Sequence, residues 1–225
     1  MSNAPVDARP ASTVMVVRDT GSGPQVLVVK RRSRGFFGGL TAFPGGGLEA
    51  CDTGALARSV VTGVGEDHAF RAAALRELAE ETSLALTTSG VVAAPPERGE
   101  DLYLALSGAS LLDGERLVFV SRWVTPEDAP QRYDTRFYLT SILGDPEIRV
   151  DAAELTGAEW IGPAAALDLH DAGDWRMFSP TIAHLVWLAG FRDVGSMISA
   201  AVHDEGTLVM PTGEDALSGL DQEVD

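Results

Sequence analysis

Residues 71–82, with the sequence RAAALRELAEET, constrain the fold of this chain most because they predict a long helix with two different faces. At roughly 100° per residue, Glu77, Glu80 and Glu81 fall within about a 100° arc of one face. The opposite face carries Leu75, Leu78, Thr82 and Leu86. Apolar residues at this spacing pack on a sheet or another helix. The pattern predicts a helix from about Glu66 to Leu84, with three carboxylates on one side.

The three carboxylates have two interpretations. A glutamate-rich helix face is commonly a solvated surface, and Arg76 would then form a surface pair with Glu80. Like charges at this spacing destabilise a helix by a few tenths of a kcal/mol per pair. A divalent cation converts that repulsion into binding, and Mg²⁺ prefers carboxylate oxygens, water and substrate phosphates. The helix alone favours the solvated surface.

A glycine-rich turn precedes this helix in the chain. Gly45, Gly46 and Gly47 follow Phe43-Pro44 in a row. Because glycine has no side chain, it lets the backbone approach a ligand closely. Taken alone, such a segment is simply a turn.

The remaining segments predict a single mixed α/β domain. Strands are predicted at residues 13–18, 25–30, 101–106, 117–124, 132–143 and 158–161, and helices at 163–169, 180–191 and 194–202. Strands around one long helix, with helices at the end, are typical of a sheet covered on both faces. We expect a disordered lead-in at residues 1–12, a domain at 13–202 and an acidic tail at 203–225.

The formal net charge of −16 and the sequence pI near 4.5 limit the classes of partner. Such a charge disfavours binding to a nucleic acid duplex. A small phosphorylated ligand would need local arginines or bound cations. The dense basic cluster at residues 30–34 could supply them through Arg31, Arg32 and Arg34. A solvated strand end is the competing interpretation of that cluster.

Two further features bear on location. No apolar run is long enough to span a bilayer, so no membrane association is expected. Cys51 is the single cysteine, which excludes an internal disulfide and fits a reducing cytoplasm.

The glycine turn and the helix together resemble the signature of the Nudix hydrolase superfamily. Gly46, five residues, Asp52, and then the run from Arg76 to Leu84 match its order of residues. Asp52 stands where the family has Glu, and Ser83 replaces the closing Gly. The spacing between Asp52 and Arg76 is 23 residues, 16 more than in the signature. The resemblance predicts a Nudix fold, a mixed sheet sandwiched between helices.

Other segments resemble the branch of peroxisomal coenzyme A diphosphatases, whose members carry an insertion at the same point. These segments are residues 123–126 (WVTP), 133–138 (YDTRFY) and 179–181 (SPT). This resemblance spans about residues 13–191. It implies hydrolysis of a diphosphate linkage in a nucleotide-like substrate such as coenzyme A or an acyl-CoA, and a homodimer is an expectation on the same ground.

The resemblance also implies the roles of individual residues. Glu80, Glu81 and the Gly46 carbonyl would hold Mg²⁺ or Mn²⁺, while Glu77 would be a metal ligand or would activate the water. Arg76 would orient Glu77 through a charge-assisted hydrogen bond. Asp52 would support Arg76 or the metal shell. For a further carboxylate from a later loop, the candidates are Glu147 and Glu154.

Two alternatives stay open. One is a non-catalytic Nudix-fold sensor of a nucleotide metabolite. Loss of Glu77, Glu80 or Glu81 would favour the sensor, but all three are present. A hydrolase of ADP-ribose, NADH or nucleotide sugars is the other.

Overall fold

A seven-stranded mixed sheet forms the centre of the protein, whose computed structural model describes residues 7–33, 38–63, 65–108 and 111–203. The strands are β1 (Arg9–Thr20), β2 (Gly23–Arg31), β3 (Thr41–Ala42), β4 (Gly45–Gly47), β5 (Leu84–Thr87), β6 (Gly90–Ala93), β7 (Val118–Val124), β8 (Tyr133–Ser141) and β9 (Leu155–Ile161). The helices are α1 (Ala55–Val60), α2 (His68–Thr82), α3 (Gly99–Leu106), α4 (Pro163–Asp171), α5 (Ser179–Ala189) and α6 (Val194–His203). Strands β5 and β6 form a separate hairpin.

Strand β1 divides the core into two layers. Its side chains alternate, so Val14 and Val16 pack with α1, α2 and α3, whereas Met15 and Val17 pack with α4, α5 and α6. All four side chains are buried. The predicted sheet between two layers of helices is therefore confirmed.

Strand β1 also places the glycine turn. It pairs in parallel with β8 along one edge, and its other edge is shared between β2 and β4. In the pairing with β4, Ser12 lies opposite Gly46. The turn is thus fixed to the sheet beside α2, which packs on both β1 and β4.

The long helix is confirmed with shorter bounds. Helix α2 ends at Thr82 because Ser83 adopts a left-handed conformation, with φ of 56°. The serine therefore stands where glycine is the usual helix terminator. Leu86, predicted on the apolar face of the helix, lies in β5 and is buried there.

The predicted strand at residues 101–106 is wrong, because Gly99–Leu106 form α3. Alternating Leu102, Leu104 and Leu106 imitate a strand, but Leu104 is 60% exposed while the other two are buried. Acidic residues Glu100 and Asp101 occupy the first turn, where the helix dipole favours negative charge.

The N-terminal segment predicted to be disordered, residues 1–12, extends too far along the chain. Strand β1 begins at Arg9, four residues before the expected boundary, since residues 9–12 pair with β8. Residues 1–6 of the lead-in, and the tail from residue 204, lie outside the described residues.

Within the described ranges, no single helix is long and apolar enough to cross a membrane. Helices α5 and α6 together reach the required length and composition, but the chain bends by 115° between them.

Candidate active site

The base of the site is a buried ion pair. Arg76 on α2 donates from Nε to Asp52 Oδ1 at 2.9 Å and from Nη2 to Asp52 Oδ2 at 3.1 Å. The Arg76 and Asp52 side chains are 1% and 0% exposed. Tyr103 donates its hydroxyl to Asp52 Oδ1 at 2.7 Å, and the Glu49 backbone donates to Oδ2 at 2.7 Å. Each oxygen of Asp52 thus accepts at least two hydrogen bonds from protein groups.

These contacts bear on the two roles predicted for Asp52. A carboxylate bound by an arginine fork, a phenol and an amide is already fully engaged. Asp52 therefore contacts Arg76 directly, and its predicted role as a metal ligand stays a prediction.

Arg76 in turn holds two of the helix carboxylates. Its Nη1 donates to Glu77 Oε1 at 2.9 Å and lies 3.3 Å from Glu80 Oε2. Its Nη2 also donates to the Gly47 carbonyl at 3.0 Å. The predicted bond between Arg76 and Glu77 is present. The alternative of a solvated surface pair is wrong, because Arg76 is buried.

Glu81 links α2 to the glycine turn. Its Oε2 accepts a bond of 3.1 Å from the Gly45 backbone, and its Oε1 accepts one of 2.9 Å from Arg31 Nη2. The same Arg31 nitrogen donates to the Gly45 carbonyl at 2.6 Å. Since the Glu81 side chain is 0% exposed, Arg31 is the cation beside a fully buried carboxylate.

Glu80 faces the start of α3 instead. The Gly99 backbone donates to its Oε1 at 2.7 Å, and Arg98 Nη2 lies 3.5 Å from its Oε2. Arg98 also binds Glu154 at 2.9 Å and pairs with Asp151. Arg98 therefore connects the helix carboxylates to residues 151–154.

Gly46 has no side chain at a point where the turn lies against Glu77. A Cβ there would lie 2.5 Å from the carboxylate of Glu77, closer than real contacts allow. A Cβ on Gly45 would lie 2.5 Å from the Ser12 carbonyl. The consecutive glycines thus let the turn touch the carboxylates directly.

Burial makes Glu77 and Glu81 harder to ionise, because it raises the pKa of both carboxyl groups. It raises the pKa of Glu81 to about 8, against the opposing effect of Arg31, and Glu77 raises it further. Burial also raises the pKa of Glu77, although Arg76 lowers it. Two buried carboxylates that lack enough positive charge are a place where a cation would bind strongly.

The carboxylates suit a hard cation in chemistry but are not assembled around one point. Their oxygens are the ligands that Mg²⁺ and Mn²⁺ prefer. Within the described part of the chain, however, no three His, Cys, Asp or Glu side chains converge as a metal site. Their hydrogen-bond partners spread them apart, because Glu80 accepts from the Gly99 backbone and Glu81 from the Gly45 backbone, while Glu77 accepts from Arg76.

Only part of the predicted basic cluster at residues 30–34 lies at the site. Arg31 lies there, but its neighbour Arg32 follows the end of β2, is exposed and donates to the Ala152 carbonyl. Arg34 lies outside the described residues. Of the later carboxylates, Glu154 binds Arg98, whereas Glu147 is 72% exposed and pairs with Arg149.

Sequence reasoning missed Tyr103, Arg98 and Gly99. All three lie on or next to α3, which was predicted as a strand. The acidic residues that begin this helix are the signal that could have placed it.

A cavity of about 660 Å³ adjoins the other side of the glycine turn. Gly45, Gly46 and Gly47 line it together with Arg31, whereas the helix glutamates do not. Its volume is in the range of small-molecule sites.

Comparison with known proteins identifies the family. Residues 8–180 match the NUDIX domain family. A NUDIX hydrolase from Alicyclobacillus acidocaldarius is 31% identical in sequence, with a TM-score of 0.75 over 86% of this chain and 96% of that one. A Caenorhabditis elegans protein provisionally named nudix hydrolase 7 is 28% identical over 193 residues. That match covers 81% of this chain and 61% of the relative, so the chain spans less than two thirds of its length.

Proposed function

The chain belongs to the Nudix family, and we propose on that premise that it is a metal-dependent hydrolase of the diphosphate linkage in a nucleoside diphosphate derivative. The observation that carries this proposal is the position of the three helix glutamates beside the glycine turn, with Glu77 and Glu80 bound to Arg76 and the fully buried Glu81 bound to Gly45. Buried carboxylates with raised pKa values are typical of functional sites rather than of a solvated helix face.

The residues that would hold Mg²⁺ or Mn²⁺ are Glu77, Glu80, Glu81 and the Gly46 carbonyl. A bound cation neutralises phosphate oxygens and lowers the pKa of water. Because Arg31 and Arg98 now contact Glu81 and Glu80, at least one carboxylate must change partner when a cation binds.

Glu77, Arg76 and Asp52 would each have a role in the hydrolysis step. Glu77, at 12% exposed, is the most accessible of the three carboxylates. It would take the proton of the attacking water as the new phosphorus–oxygen bond forms and the bridging bond breaks. Arg76 would keep Glu77 in place through Oε1, and Asp52 would keep Arg76 in place. The bridging oxygen would leave on the second phosphate with the electron pair of the broken phosphorus–oxygen bond.

Coenzyme A or an acyl-CoA stays the first substrate proposed, on the sequence resemblance. ADP-ribose, NADH and nucleotide sugars are alternatives within the same reaction. A sensor without catalysis is disfavoured because Glu77, Glu80 and Glu81 are all retained at the site. The homodimer and the cytoplasmic location stay predictions.

The proposal is tested with Glu80→Gln and Glu81→Gln. Each variant should lose most Mg²⁺-dependent turnover across a panel of coenzyme A, ADP-ribose, NADH and a nucleotide sugar, with products read by mass. Titration with Mn²⁺ alone, followed by its paramagnetic resonance signal, should show weaker binding in both variants. The matched control is Glu115→Gln, at an exposed glutamate. Full turnover and unchanged Mn²⁺ binding in either site variant would contradict the assignment.

A further inference from the structure

Tyr103 is a buried polar residue to which the hydrolysis step described above assigns no role. Its side chain is 0% exposed, and its hydroxyl donates to Asp52 Oδ1 at 2.7 Å. Leu102 and Leu106 of the same helix belong to the same core. A phenylalanine would fill this position in a hydrophobic core equally well, so packing alone does not account for the hydroxyl.

The hydroxyl begins a chain of hydrogen bonds that ends at Glu77. Asp52 Oδ1, which accepts from Tyr103, also accepts from Arg76 Nε at 2.9 Å. Arg76 Nη1 then donates to Glu77 Oε1 at 2.9 Å. Because a guanidinium group is planar and rigid, the orientation of its bonds to Asp52 also sets the direction in which Nη1 points. The orientation of the Asp52 carboxylate is therefore passed on to Glu77.

Two different elements hold the Asp52 carboxylate. Asp52 lies on a short 3₁₀ turn, Ala50–Thr53, and the Glu49 backbone just before that turn donates to Oδ2 at 2.7 Å. Tyr103 approaches from α3 and donates to the other oxygen. With one bond from its own turn and one from a separate helix, the carboxylate is held against rotation about the bond between Cβ and Cγ.

Helix α3 is itself fixed next to the site. It packs on α1 and on the turn that carries Asp52. One helical turn before Tyr103, the Gly99 backbone donates to Glu80 Oε1 at 2.7 Å. Residues four apart lie on the same side of a helix, so one face of α3 contacts both Asp52 and Glu80.

From these contacts, we infer that Tyr103 is a positioning residue whose hydroxyl fixes the orientation of Glu77 through Asp52 and Arg76. This inference rests on the proposed function and adds to it a residue that does not touch the substrate. Because Tyr103 acts on the group proposed to take the proton of the attacking water, its hydroxyl should affect the rate of the chemical step more than substrate binding.

The chain contains a second triad of the same three residue types, which supplies a matched control. Tyr138, also 0% exposed, donates to Asp67 Oδ2 at 3.3 Å, and Arg71 Nε donates to the same oxygen at 2.8 Å. Arg71 Nη1 then donates to the Gly114 carbonyl at 2.7 Å. Tyr138→Phe thus removes a hydroxyl from a triad that ends at a backbone carbonyl instead of at Glu77.

The first measurement is the hydrogen exchange rate of the Arg76 and Arg71 Nε–H groups, followed by NMR on the metal-free protein. Tyr103→Phe should speed the exchange at Arg76 by about tenfold, the change that corresponds to loss of one hydrogen bond to a charged group. It should leave the exchange at Arg71 as in the wild type, whereas Tyr138→Phe should affect Arg71 and not Arg76. Equal exchange at Arg76 in Tyr103→Phe and the wild type overturns the inference.

The second measurement is steady-state turnover with a substrate of the panel that the wild type hydrolyses. Tyr103→Phe should lower kcat by about tenfold and change KM by less than about twofold, whereas Tyr138→Phe should leave both unchanged. In an Asp52→Asn background, Tyr103→Phe should lower kcat no further, since the hydroxyl acts through Asp52.

An equal loss of kcat in the two tyrosine variants, or additive losses in the double variant, overturns the inference. If the wild type hydrolyses no substrate of the panel, the proposed function fails. The exchange rates then still decide whether Tyr103 positions Arg76, because they need neither metal nor turnover.

Discussion

Replacing Asp52 with Asn tests how much the buried ion pair between Asp52 and Arg76 stabilises the protein. The variant keeps the size of the side chain but removes the negative charge between Arg76 and Tyr103. An amide also offers one acceptor atom, whereas Asp52 accepts bonds at both of its oxygens. The NH₂ group must then face either Arg76 Nη2 and the Glu49 backbone, which now donate to Oδ2, or Arg76 Nε and Tyr103, which now donate to Oδ1.

The magnitude follows from burial. Breaking a buried ion pair by removing one partner costs roughly 3–5 kcal/mol, because it leaves an uncompensated charge. Arg76 would keep its contacts with Glu77 and Glu80, so its charge is not left alone. We therefore expect the free energy of unfolding to fall by about 3 kcal/mol, at the lower end of that range.

The chain offers a control with the same geometry at the surface. Arg122 Nε and Nη2 each bind one oxygen of Asp134 at 2.7 Å, but the two side chains are 58% and 25% exposed. Asp134→Asn should cost less than about 1 kcal/mol. Both variants are compared with the wild type by urea unfolding, monitored by tryptophan fluorescence. If Asp52→Asn costs no more than Asp134→Asn, the reasoning about the buried pair is refuted.

Three further predictions concern single residues. Gly46→Ala should lower turnover roughly 100-fold by displacing Glu77, whereas Gly21→Ala, where a Cβ meets nothing within 4 Å, should leave steady-state rates unchanged. Burial lowers the pKa of His184 to about 4 from its ordinary 6.5, so the unfolded chain binds the extra proton and stability falls as pH drops from 6.5 to 4. Urea unfolding across that window should show this contribution, roughly 3 kcal/mol, in the wild type but not in His184→Gln. Burial and the neighbouring Asp52 raise the pKa of Cys51 to about 11, so iodoacetamide at pH 8 should label it roughly 100-fold more slowly than in the urea-unfolded chain.

The sequence was sufficient for the features that depend on local pattern. The strands around Val14 and Val26 show the apolar runs of buried strands, and both are present as predicted. Spacing alone predicted that the three glutamates of α2 share one face, since residues three and four apart lie together, whereas their role at a site came from the resemblance. That face is buried in the structure, which a pattern of charges cannot show because it contains no information on what covers it.

The partners of the glutamates could not be predicted for a related reason. Arg98 and Gly99 reach Glu80 across 18 and 19 positions of the chain, and only the placement of α3 brings them there. The alternating leucines of that segment indicated a strand, whereas packing on α1 and the acidic first turn stabilise a helix. The error in one element therefore concealed two site residues.

The long spacing between Asp52 and Arg76 shows how tertiary packing preserves a local signature. Extending a loop of seven residues to 23 adds only about 1 kcal/mol of closure entropy, since this cost grows with the logarithm of length. The added residues offset it, because Val60 and Val61 are buried, and each such side chain contributes about 1.5–3 kcal/mol. The insertion also contains the start of α2, whose Arg71 donates to the Gly114 carbonyl at 2.7 Å. Asp52 and Arg76 can thus stay in contact because the intervening segment contributes to the core instead of remaining a loop.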